Sequence, residues 1–312
     1  MSCTQFTKQL THCKISVLND IAILCGAPIL SSSKASRVEG ILSQLNFYKS
    51  QYANLHKRST LAIDLGIKNF SFCKSTGSKF PIRITKWDKI DLHDKYGSSY
   101  IPLIHENTVF DRRRYLNHIA NALVDDLDII STNVKIMESQ RTRSQFAPAT
   151  LPHVLLLHDL EILIMSKVYP ESILPQSSKQ MMDFWLYRYI TKESRMKLKK
   201  NNKIVRTDLA KIWFDKLYSI VDYKDSEKFE KSTILKFLNL DPKLDKADDL
   251  IDSLLYNLFV NCQLNNLADL VGVLGKGDDL QEFVNEKSIF HRDLIKPVVD
   301  QYRMEYKSEK GK

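Results

Sequence analysis

The stretch Thr60-Leu61-Ala62-Ile63-Asp64-Leu65-Gly66-Ile67-Lys68-Asn69 decides the fold. Thr60 to Ile63 is a short apolar run of the kind that forms a buried strand, and Asp64 interrupts it just before a glycine turn. Two further segments follow, Ile67 to Cys73 and Phe80 to Trp87, and both alternate enough to be strands. Three strands in succession predict an antiparallel meander. A carboxylate at the end of such a strand is costly to bury unpaired. Metal coordination would resolve that cost, and so would hydrogen bonds from the amides of the turn.

Downstream, apolar residues recur at helical spacing from Asn107 to Ile130, and Val134-Lys135-Ile136-Met137 is a short buried strand. Leu151 to Val168 is helical again, Ile173-Leu174-Pro175 is a brief strand, and helices fill most of what remains. This order predicts an α/β fold whose later strands are parallel and covered on both faces. Upstream, His56-Lys57-Arg58-Ser59 is a polar hinge that divides a small module, residues 1–56, from a large domain, residues 57–312. The module carries two short amphipathic segments, Ile15 to Cys25 and Lys34 to Phe47. Gly26-Ala27-Pro28 ends the first, and a serine among Ser31, Ser32 and Ser33 caps the second. Residues 1–58 hold seven Lys or Arg against Asp20 and Glu39, so the module reads as a basic helical hairpin.

An apolar content of 43% provides for a real core, and 46 Lys and Arg against 37 Asp and Glu leave a net charge of +9 with His neutral. That balance fits a polyanionic partner, or simply a basic solvated surface. Cys3, Cys13, Cys25, Cys73 and Cys262 stand singly, without the pairing of a zinc site or a disulfide scaffold, which points to a reducing compartment. No apolar run approaches the roughly 20 residues that span a bilayer, so no membrane partner is expected. The first 19 residues contain Lys8 and Lys14, hydroxyls and no acid, compatible with an organellar presequence but without its usual arginines.

Two further acid positions resemble that of Asp64. Glu138 ends the strand Val134-Lys135-Ile136-Met137-Glu138, with Arg141 and Arg143 just beyond as ready ion-pair partners. The segment Lys246-Ala247-Asp248-Asp249-Leu250-Ile251-Asp252-Ser253-Leu254-Leu255 opens a helix, and its spacings put Asp252 on one face with both Asp248 and Asp249. The helix dipole favours acids in a first turn, yet three so close repel one another, and a divalent cation would relieve that repulsion. Together these acids are the hard, oxygen-only donors that Mg²⁺ requires, with Mn²⁺ able to substitute. Two ions roughly 3.5–4 Å apart activate water and steady the leaving oxygen of an in-line phosphodiester displacement. No small-molecule cofactor is expected.

The chain resembles the fungal mitochondrial Holliday-junction resolvases, relatives of the bacterial RuvC resolvases in the RNase H-like superfamily. The likeness covers nearly the whole chain. It rests on Ile63-Asp64-Leu65-Gly66-Ile67-Lys68-Asn69, Glu138-Ser139-Gln140-Arg141-Thr142-Arg143-Ser144, Pro175 with Phe184-Trp185, and Ala247-Asp248-Asp249-Leu250-Ile251-Asp252-Ser253, all in family order. It implies an RNase H-like mixed sheet flanked by helices. It also implies a homodimer that nicks four-way junction DNA in pairs, a mitochondrial location, and a SAP-like DNA-binding hairpin at the N-terminus. That hairpin is matched by Val17-Leu18, Gly26 and Ser33-Lys34-Ala35-Ser36-Arg37. By position, the resemblance makes Asp64, Glu138 and Asp252 catalytic metal ligands. A three-residue step to Asp252 adds Asp249, and a four-residue step adds Asp248.

Basic residues beyond the acids supply the expected DNA grip. Arg195, Lys197, Lys199, Lys200, Lys203, Arg206 and Lys211 are opposed only by Asp208 within that stretch, a density suited to phosphate neutralisation or to a solvated loop. Lys34, Arg37, Arg141 and Arg143 are further candidates. Two other function classes compete. Ile63-Asp64-Leu65-Gly66 also looks like the first phosphate loop of actin-like kinases, but nine glycines in 312 residues, against a typical roughly 7%, provide no second such loop. A junction-binding scaffold without cleavage would have been free to lose the acids.

Overall fold

The computed structural model describes residues 3–53, 57–104, 108–139, 151–198, 201–220 and 247–307. Three helices come first, α1 (Cys3–His12), α2 (Ile15–Cys25) and α3 (Lys34–Gln51), so the expected two-helix hairpin gains a helix at its start. Gly26 ends α2 in the left-handed region at φ 69°, and its N–H is donated to the Ala22 and Ile23 carbonyls. Ser33 caps α3 by accepting a hydrogen bond from the Ser36 amide at 3.1 Å.

The meander follows as β1 (Ser59–Asp64), β2 (Phe70–Thr76) and β3 (Ile82–Ile90), then α4 (Leu92–Tyr96), α5 (Val109–Asp126), β4 (Val134–Glu138), α6 (Leu151–Val168) and β5 (Leu174–Gln176). β2 begins later than the alternation predicts, because Leu65 to Asn69 turns tightly. A side chain on Gly66 would come within 2.9 Å of the Asn69 carbonyl. After β5 come α7 (Ser178–Met182), a π-turn at Asp183–Tyr187, α8 (Lys192–Leu198), α9 (Asn202–Ile212), β6 (Tyr218–Ile220), α10 (Ala247–Lys276) and α11 (Leu280–Gln301). The basic stretch from Arg195 to Lys211 carries two helices, α8 and α9, and β6 adds a short strand to a region expected to be mostly helical.

The six strands form one mixed sheet in the order β5-β4-β1-β2-β3-β6. β1, β2 and β3 pair antiparallel, while β4 runs parallel to β1, β5 to β4 and β6 to β3. One face carries Leu61, Ile63, Phe70, Phe72 and Met137 against Ile119, Leu123, Leu160 and Ile164 of α5 and α6. The other carries Ala62, Cys73, Ile84 and Ile136 against α10. At ~1.5 Å per residue, the 30 residues of α10 form a rod of about 45 Å. It is covered on nearly every side, so its apolar residues show no single stripe.

Phe6, Leu10, Leu18, Ile21, Ile41 and Leu45 of the N-terminal helices belong to the same core as α10. Gln263 and Asn266 of α10 donate to the Ile23 and Leu24 carbonyls at 3.2 and 2.9 Å. The polar hinge therefore divides the chain in sequence but not in packing. No helix among the described residues is long and apolar enough to cross a membrane.

Candidate active site

Strand parity brings the acids together. Leu61 and Ile63 of β1 pack under α5 and α6, so Ala62 and Asp64 face α10. On β4, Met137 packs under α5 and α6, and Val134, Ile136 and Glu138 take the α10 side. The parallel register pairs Ala62 with Ile136 and Ile63 with Met137. One step further puts Asp64 beside Glu138 on neighbouring strands, roughly 4.8 Å apart in the hydrogen-bonding direction. Both acids stand at the edge of the sheet where β1 ends.

The first turn of α10 is clamped onto that edge. Ser71, the cross-strand partner of Asp64, donates its hydroxyl to the Asp249 carbonyl. Trp87 of β3 donates its indole N–H to the Leu250 carbonyl at 2.7 Å. Asp249 and Asp252 are thereby carried to Asp64. Burial pushes the Asp64 carboxyl well above the usual carboxylate range, and a hydrogen bond with Glu138 and the charges of Glu138, Asp252 and Asp249 push it the same way. Asp64 is 7% exposed. One turn along α10 from Asp252, burial raises the Tyr256 hydroxyl, and Glu138, Asp252 and Asp64 raise it further. That hydroxyl lies close to Glu138 without reaching good hydrogen-bond geometry.

The structure thus brings together Asp64, Glu138, Asp249 and Asp252. The side chain of Asp248 lies outside the described residues, as do Arg141, Arg143, Lys199 and Lys200. Lys34, Lys197 and Lys203 are exposed, whereas Arg37 is half-buried and donates to the Asn19 side chain and the Ser31 carbonyl. Arg206 departs from expectation. It is not among the surface cations but is buried at 9% exposure, with its guanidinium paired to the Asp252 carboxylate. The reason is the face of α9, where Val205, Arg206, Leu209 and Ala210 turn inward against α10 while Lys203 points out.

Tyr256 is a site residue that sequence reasoning missed, and Arg206, singled out there for the DNA grip, stands at the acids instead. Tyr256 was within reach, since it follows Asp252 by four residues on the same helical face. Arg206 had no local signal among so many neighbouring cations. Glu161 of α6 is buried and lies 3.8 Å from His158.

A divalent ion suits this donor set. Its oxygens are hard, and a cation would offset both the burial of Asp64 and the nearby charges of Glu138, Asp252 and Asp249 that raise its carboxyl. Among the described residues, no three His, Cys, Asp or Glu side chains are placed to chelate an ion as they stand. Arg206 supplies positive charge at Asp252 instead.

Residues 60–270 match the family model described as mitochondrial resolvase Ydc2 / RNA splicing MRS1. The chain belongs to this family. Its mitochondrial description agrees with the location expected from the resemblance. The match begins at β1, so the N-terminal helices lie outside it. Among solved structures, the crystal structure of the yeast mitochondrial Holliday junction resolvase, Ydc2, aligns with a TM-score of 0.53 at 20% identity. The alignment covers 84% of this chain and 99% of that one. At that identity the likeness shows the fold, and the mixed sheet flanked by helices is RNase H-like as expected. No curated protein matches the sequence.

Proposed function

We propose that this chain is a divalent-metal-dependent endonuclease that resolves four-way DNA junctions in mitochondrial DNA recombination, using Mg²⁺ or, in its place, Mn²⁺. The observation that carries this reading is the convergence of Asp64, Glu138, Asp249 and Asp252 from two strands and a helix, with Asp64 buried among the others. Asp64, Glu138 and Asp252 would hold the metal, with Asp249 or Asp248 completing the set. The bound ions would supply an activated water and neutralise charge on the leaving oxygen.

The remaining steps belong to the protein. β1 and β4 present two carboxylates at fixed separation, and the clamp from Ser71 and Trp87 keeps the start of α10 from drifting away. Exposed Lys197 and Lys203, joined by Lys199, Lys200, Arg141 and Arg143, would hold phosphates beside the acids. Lys34, and Arg37 where its own hydrogen bonds permit, would extend that grip as part of a SAP-like N-terminal module. A homodimer would match its two-fold axis to the two equivalent strands of a junction and make paired nicks.

The family description also names RNA splicing, and the pairing of Asp252 with Arg206 would suit a member that binds nucleic acid without cutting it. One assay separates the readings. The purified protein is incubated with an end-labelled four-way junction, and in parallel with a structured RNA, in Mg²⁺ and then in Ca²⁺. Symmetric nicks in the junction in Mg²⁺ alone support resolution. Binding in both ions with cuts in neither supports the non-cutting reading.

A further inference from the structure

We infer that Arg206 is the resident counter-ion of the acid cluster, neutralising Asp252 while no divalent ion is bound and giving way when one arrives. The inference rests on the reading of the acids as a metal site.

A guanidinium stays charged at any ordinary pH, and burying it is expensive unless its donors are satisfied. Arg206 is 9% exposed and pairs with Asp252 through Nη1, yet its Nε is buried without a hydrogen-bond partner. An ion pair built for stability engages the guanidinium fork as fully as it can. Here the side chain is held mainly by the charge opposite it, and a group held that way can be exchanged for another cation. Its partner Asp252 stands on the α10 turn clamped beside Asp64 and Glu138, so the guanidinium occupies the ground that the metal-site reading assigns to a cation.

Geometry offers the displaced guanidinium a second position. Arg206 lies on α9 one turn beyond exposed Lys203. A nucleic-acid backbone lying against Lys203 would present phosphate oxygens, which the guanidinium fork matches. Arg206 is thus a positioning residue. It holds Asp252 in register in the ion-free protein and passes to the substrate phosphate as the ion takes its place.

The test uses the full chain without DNA, with Mn²⁺ alone as probe, titrated calorimetrically into wild type, R206Q and R206K. Removing the competing charge is expected to tighten Mn²⁺ binding by ~10-fold in R206Q. R206K, whose ammonium pairs less firmly, is expected to fall between R206Q and wild type. In EDTA, R206Q is expected to melt below wild type and to regain more of its Tm when Mn²⁺ is added. Equal Mn²⁺ affinity in wild type and R206Q overturns the inference. If Asp64→Asn abolishes that shared binding, the metal-site reading survives and only the role of Arg206 is lost. Absence of Mn²⁺ binding in every variant overturns both. Should R206Q fail to fold, R206K carries the test, and an affinity equal to wild type again overturns the inference.

Discussion

Two stretches of α10 bury polar side chains against the same sheet with opposite outcomes. In its middle, Asn257 donates to the Cys73 carbonyl at 2.8 Å and accepts from Ser75 at 2.7 Å. Asn261 donates to the Asn257 carbonyl at 2.9 Å and accepts from Thr60 at 3.3 Å. Neither Asn is exposed, and their donors and acceptors are matched along the helix. At the N-terminal end, Asp249 and Asp252 meet Asp64 and Glu138, and like charges accumulate instead. Satisfied polar groups in a core specify how helix and sheet register. Like charges gathered in the same position suit a cation supplied from outside.

The largest expected effect lies at the charged end. Asp64→Asn should lower junction cutting by ~10³-fold or more, the loss of several kcal/mol of metal-borne stabilisation. Junction binding measured by gel shift should survive, and without metal the variant should unfold at higher urea than wild type, because one buried charge is gone. If binding and cutting fell together with stability, the contrast between the two stretches would fail.

The matched stretch should respond in the opposite way. Asn257→Ala leaves the Ser75 hydroxyl and the Cys73 carbonyl short of partners and should cost about 2–4 kcal/mol in urea unfolding. Cutting per folded molecule should be unchanged. Loss of cutting with stability intact would move Asn257 from the scaffold into the site.

A third, smaller effect lies beyond both stretches, where α11 packs on α10. His291 is fully buried among Phe184, Trp185 and Tyr189, with its Nδ1 accepting from Arg188 at 3.0 Å. Burial, reinforced by the Arg188 charge, holds its pKa well below the ordinary value of 6.5. The folded protein therefore binds fewer protons here than the unfolded chain. Stability should be full above about pH 6.5 and fall as pH drops below it, by up to ~1.4 kcal/mol per unit. His291→Gln should flatten that slope in urea titrations between pH 5 and 7, and an unchanged slope would assign the acid sensitivity elsewhere. The smallest effect belongs to the surface. Lys197→Glu with Lys203→Glu should weaken junction binding and lower its logarithmic salt dependence by about 2. An unaltered salt slope would remove α8 and α9 from the DNA interface.

Much of this was legible in the sequence because β1 and β4 are apolar runs ending in acids, and strand parity alone places Asp64 and Glu138 on one face. Helical spacing put Asp252 on one face with both Asp248 and Asp249 and did not choose between them. β6 escaped because Tyr218–Ile220 is three residues long and owes its place to pairing with distant β3. α1 escaped because a short polar-flanked segment forms a helix here only by packing Phe6 and Leu10 into a core supplied by later residues. Arg206 escaped for a similar reason. Its neighbours in sequence are cations with the same composition and spacing, and only the packing of α9 on α10 selects which one turns inward.

The most direct test of the central claim is anomalous diffraction from crystals of the protein soaked in Mn²⁺. The account predicts an anomalous peak bridging the carboxylates of Asp64 and Glu138 and reaching the acids at the start of α10. Full Mn²⁺ occupancy elsewhere, with those carboxylates bare, would contradict it.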